Sequence, residues 1–135
     1  MPIKLENVGI AVRDLEAAIA FFTDLGLTVS GRDTVSGAWA DTAVGLDGNH
    51  VKIAVLKTPD GNGQLELFEY IHPEAIETEP TLPNEIGMHR VAFSVENIDE
   101  ALRSLPGTAA TRFGASQPTG MSINSPTFGA RVASS

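Results

Sequence analysis

Cysteine is absent from the 135 residues. Disulfides, zinc–thiolate sites, iron–sulfur clusters and cysteine nucleophiles are therefore excluded together. Basic residues are scarce: nine Lys and Arg stand against seventeen Asp and Glu, a net charge of −8. A nucleic-acid interface needs a basic face and an anionic membrane attracts one, so the balance argues against both partners. No apolar run approaches the roughly 20 residues of a membrane span. The opening stretch, Met1 to Glu6, lacks the apolar region of a signal peptide, and a cytoplasmic protein is the expectation. Aromatics amount to only 6%, yet hydrophobic residues reach 42%, enough for a packed core in one domain.

What organises the chain is an internal repeat. Asn7 to Ala18 resembles Arg90 to Ala101 at a constant offset of 83, 90 minus 7. Val8 matches Val91, Val12 matches Val95 and Ala18 matches Ala101. Each copy is a β-rich run, an acidic or amide residue, then apolar residues at helical spacing. In the first copy residues 4–12 read as a strand, and Asp14 is placed to cap the following helix, with Glu16 near its positive end. Leu15, Ala18, Ile19, Phe22 and Leu25 fall on one helical stripe, and Gly26 stops it. Residues 27–35 and 50–57 read as strands, with 37–49 unassigned between them. Pro59 to Gly63 is a turn signal, and Gln64 to Tyr70 returns as a strand. The order is β-α-β-β-β.

Residues 72–86, with Pro73, Pro80 and Pro83, read as a linker, and its acids as a solvated face. A second module starts at Met88 with a strand to Val95 and a helix from Asn97 to about Leu105. The expected organisation is one domain, 1–135, with a first module 1–71, a linker 72–86 and a second, atypical module 87–135. The tail breaks the pattern: all seventeen acids precede residue 104. It offers poor candidates for three further strands. One hypothesis is a change of reading frame within the gene. The codons of Met121 to Gly129, read one nucleotide earlier behind a G, can spell Asp-Val-Asn-Gln-Phe-Ala-Asp-Val-Trp. Codons that cannot give that reading end the idea, and a natural irregular terminus is the alternative.

The run from Asn7 through Asp14-Leu15, Phe21-Phe22 and Leu25-Gly26-Leu27, in a repeated β-α-β-β-β frame, resembles the vicinal oxygen chelate superfamily, which comprises glyoxalases, bleomycin resistance proteins and dioxygenases. The resemblance implies an α+β fold of paired βαβββ modules, the second incomplete or altered at its C-terminus. It also implies a small-molecule cavity and a homodimer. The family's metal ligands are a His on the first strand of each module and a Glu late in each. Here the two His positions fall on Asn7 and Arg90, and the first Glu position on Glu66. The fourth falls in the acid-free tail. An amide is a feeble ligand and a guanidinium is none. No metal ligand set and no cofactor are expected, with a divalent metal as the alternative. Strand alternation turns His89 away from the face of Arg90, and Glu69 away from that of Glu66.

Two readings of function follow from the resemblance. In the first, the chain binds a small molecule without a metal. Asn7, Glu66 and Arg90 line the cavity, Arg90 holds an anionic group, and Trp39, Phe68 or Tyr70 supply aromatic walls. In the second it is a lyase or isomerase of the lactoylglutathione lyase or epimerase type. Glu66 is then the catalytic base, and Arg90 or Asn7 the stabiliser of an enediolate. Ordinary core packing is the competing account of the aromatics, a structural ion pair that of Glu66, and a degenerate, inactive chain that of the whole.

Overall fold

In the computed structural model of the chain, residues 1–79, 82–105, 121–124 and 129–131 are described. They fall into two compact units, Met1–Glu77 and Thr78–Ser135.

The first unit begins with β1 (Val8–Ala11), α1 (Leu15–Leu25) and β2 (Thr28–Ser36). Then come α2 (Ala38–Val44), β3 (His50–Lys57) and β4 (Gln64–His72). The strand order is β1-β4-β3-β2, with β1 parallel to β4 and the other pairs antiparallel. This is the expected βαβββ unit with one short helix added.

Helix α1 starts and stops as its sequence dictates. The Asp14 carboxylate accepts from the Ala17 backbone N–H, satisfying one of the free donors of the first turn. At the other end Gly26 takes φ 121°, a value that disfavours any residue with a Cβ, and its N–H closes onto Phe22 and Thr23 carbonyls. The buried stripe is Leu15, Ala18, Ile19, Phe21 and Phe22; Leu25 is only half-buried, and Phe21 takes a place not expected for it. The Phe21 ring meets Phe22 edge to face, centroids 5.2 Å apart.

Strand alternation gives the sheet two different faces. Leu65 and Leu67 of β4 and Ala54 and Leu56 of β3 are buried with α1, and Phe22, Leu56 and Leu67 are the largest fully enclosed side chains. Glu69 shares this parity, as expected: its Oε1 accepts the Leu15 N–H at 3.2 Å, and Lys52 lies 3.5 Å from its Oε2. The opposite face carries Glu66, Phe68 and Tyr70 of β4, with Val55, Ile53 and Val51 as their partners on β3.

The turn between β3 and β4 is built on Asp60. Its carboxylate accepts from the Thr58 hydroxyl at 2.6 Å and the Asn62 N–H at 2.9 Å. These bonds, the Thr58 hydroxyl foremost, hold the Asp60 carboxyl below its usual pKa.

In the second unit β5 (Arg90–Phe93) is followed by α3 (Ile98–Ser104), capped by the Asn97 side chain on the Glu100 N–H. Two short strands, β6 (Met121–Asn124) and β7 (Gly129–Arg131), make an antiparallel sheet ordered β5-β6-β7. The tail therefore holds two strands where its composition offered poor candidates. Met-Ser-Ile-Asn alternates apolar and polar, which suits a half-buried strand however weak the surrounding signal. The rest of the tail, including the position of a fourth metal ligand, lies outside the described residues. The second module is altered relative to the first: β1 pairs in parallel with the last strand of its unit, whereas β5 pairs antiparallel with β6. The described part of the linker contains neither helix nor strand between β4 and β5. Among the described residues no helix is long and apolar enough to cross a membrane.

Candidate functional site

The face of the first unit that α1 leaves free is roofed by α2. Residues 37–49 were unreadable because the helix is short and lacks a side-chain cap at Gly37. Its C-cap, Gly45, adopts φ 74°, the left-handed conformation that glycine reaches without strain. Ala40 anchors the helix at 2% exposure.

The loop from α2 to β3 is held from two sides. Asp41 on α2 reaches forward to accept the Gly48 N–H at 3.1 Å and the Asn49 N–H at 2.7 Å. His72, at the end of β4, places Nδ1 2.8 Å from the Gly48 carbonyl oxygen. Gly48 has φ 68°, and a Cβ there would come within 3.1 Å of the His72 ring. These restraints fix where Asn49 sits.

Between α2 and the sheet lies a cleft of about 310 Å³, at the lower end of the roughly 300–1,000 Å³ typical of ligand pockets. Trp39, Ala43 and Val44 line it from α2, and Glu66, Phe68 and Tyr70 from β4. Val35, Val51 and Ile53 complete an apolar wall, and Asn49 lines it from the loop. Phe68 and Tyr70 stack edge to face at 5.8 Å. A Cβ at Gly9 would meet the Phe68 ring at 3.3 Å, so the neighbouring glycine lets that ring lie against β1. Trp39 is 67% exposed, a large indole at the cleft mouth rather than in the core.

Glu66, Trp39 and Phe68 line one cleft, together with Tyr70. Glu66 is half-buried and has no ion-pair partner within its unit. Asn7 immediately precedes β1 with the parity of Gly9, whose Cα partner is Glu66, but it is not part of the cleft lining. Arg90 is exposed at the start of β5 in the second unit. His89 is half-buried, and its Nε2 contacts the Glu85 carbonyl oxygen. Asn49 went unnoticed in the sequence. Its one sequence signal is an amide directly before an alternating strand, which no motif distinguishes.

Among the described residues, the donor chemistry of this cleft does not fit a resident metal. Glu66 is the one carboxylate in the cleft lining, and the facing β1 positions, Gly9 and Ala11, carry no donor. Among the described residues no three His, Asp or Glu side chains gather as a ligand set.

Residues 6–120 match the glyoxalase/bleomycin resistance protein/dioxygenase superfamily. Comparison with curated proteins gives no match. Among solved structures the chain is similar to a glyoxalase family protein from Bacillus cereus, 40% identical, with a TM-score of 0.71 over 76% of this chain and 70% of that one. The repeat, the βαβββ unit and these matches lead to one assignment: the chain belongs to the glyoxalase/bleomycin resistance protein/dioxygenase superfamily.

Proposed function

We propose that the chain binds a small organic molecule, without a resident metal, in the cleft between α2 and the β3–β4 face. The observation that carries this reading is the concentration of aromatic surface there. The one Trp and the one Tyr of the sequence both line this cleft, beside Phe68. An exposed indole and a half-buried phenyl give a planar ligand two apolar surfaces, and each buried aromatic contact contributes strongly to binding. Glu66 supplies a hydrogen-bond acceptor on the wall opposite α2. The roles expected of Asn7 and Arg90, and the homodimer, rest on the superfamily resemblance.

Metal analysis of the purified protein, followed by a methylglyoxal–glutathione turnover assay, tests the reading. Substoichiometric metal and no turnover are the expected results. About one equivalent of a divalent metal with turnover would overturn it in favour of the lyase reading, with Glu66 as base.

A further inference from the structure

Asn49 is 4% exposed, and its side-chain Oδ1 has no hydrogen-bond partner among the described residues. Folded proteins pair nearly all such groups, because an unpaired buried carbonyl costs about as much as a lost hydrogen bond. The side chain lines the aromatic cleft, and its backbone is held in place by Asp41. The loop is thus braced around a residue whose side-chain carbonyl is left unpaired.

We infer that Asn49 is a ligand-recognising residue, and that the cleft selects planar aromatic molecules bearing an N–H or O–H donor. This rests on the cleft being the binding site. Among the polar groups on the cleft-lining residues, the Trp39 indole and the Tyr70 hydroxyl can donate, whereas the unpaired Asn49 Oδ1 and the Glu66 carboxylate accept. A ligand that only accepts would leave both acceptors unpaired. A ligand that donates satisfies the buried carbonyl, and its ring fills the space among Trp39, Phe68 and Tyr70. Asp41 is a positioning residue, acting through the backbone of Gly48 and Asn49.

Matched probes separate the two claims. 2-Naphthamide and 2-acetonaphthone have nearly the same shape, but only the amide donates. Binding to the full chain is read by ¹⁵N–¹H correlation spectra, with the single indole N–H of Trp39 as the cleft reporter. The wild type should bind the amide about tenfold more tightly than the ketone, the equivalent of one well-made hydrogen bond. Asn49→Leu, with its spectrum still dispersed, should bind both alike. Equal affinity in the wild type, or a preference surviving Asn49→Leu, would overturn the assignment to Asn49 and leave the cleft standing. If neither probe moves the Trp39 signal, the cleft itself is not the site and both readings fall.

Discussion

Replacing Asn49 by Leu should stabilise the protein, against the usual rule that changing a buried residue destabilises it. In the native chain the Oδ1 atom gives up its water on folding and gains no partner among the described residues. That loss amounts to about 1–3 kcal/mol. Leu has nearly the shape of Asn and adds apolar surface to a cleft that Val51 and Ile53 also line. Imperfect packing of the second methyl takes back roughly 1 kcal/mol. The net expectation is a gain of about 1 kcal/mol, which in a unit of this size raises Tm by about 4–8 °C. Calorimetry gives the Tm. Urea unfolding should show a higher midpoint at an unchanged slope, the sign that stability rather than compactness has moved. Asn49→Asp is the opposing control: it has the same shape but buries an anion in the cleft that already holds Glu66, and it should lower Tm. A fall in Tm for Asn49→Leu would refute the reasoning, since it would mean that the carbonyl is bonded in the native protein.

Three further outcomes are expected. Asp41→Ala removes the acceptor of two backbone N–H groups and should cost about 1–2 kcal/mol in urea unfolding, while abolishing the amide-over-ketone preference. Trp39→Ala should change stability by no more than about 0.5 kcal/mol, because the indole is 67% exposed, yet it should weaken probe binding severalfold when titration is followed on the backbone amide signals of the other cleft residues. The Asp60 carboxyl should titrate below its ordinary value of 3.8 when followed by NMR. A depressed folded-state pKa contributes stability above the unfolded pKa and loses it as pH falls through the folded one. The Asp60 contribution is therefore complete at neutral pH, fades only in strong acid, and should vanish from the acid limb in Asp60→Asn.

The frame of the first unit was legible because its signals are local. Asp14 and Gly26 mark the ends of α1 through bonds to residues within four positions. The turn at Asp60 closes over six residues. Leu65 and Glu66 declare opposite faces through an alternation that any strand must obey. The same parity rule separated Glu69, bonded at the start of α1, from Glu66 in the cleft. Helix α2 was not legible, since seven residues without a side-chain cap carry too little pattern to stand out. The two strands of the tail were missed because four- and three-residue strands depend on pairing partners rather than on their own composition.

Asn49 was invisible for a different reason, and that reason bears on how the site works. Residues chosen for stability agree with their surroundings, so a sequence pattern finds them. A residue chosen for a ligand can disagree with its surroundings in the free protein, because the agreement is completed only on binding. Asn49 combines deep burial, an unused acceptor and a backbone pinned by the carboxylate of Asp41, eight residues earlier. Neither burial nor hydrogen bonding alone would single it out. Together they describe a group held ready at a cost to the fold, and a stabilising Asn49→Leu that loses donor selectivity would show both sides of that exchange in one variant.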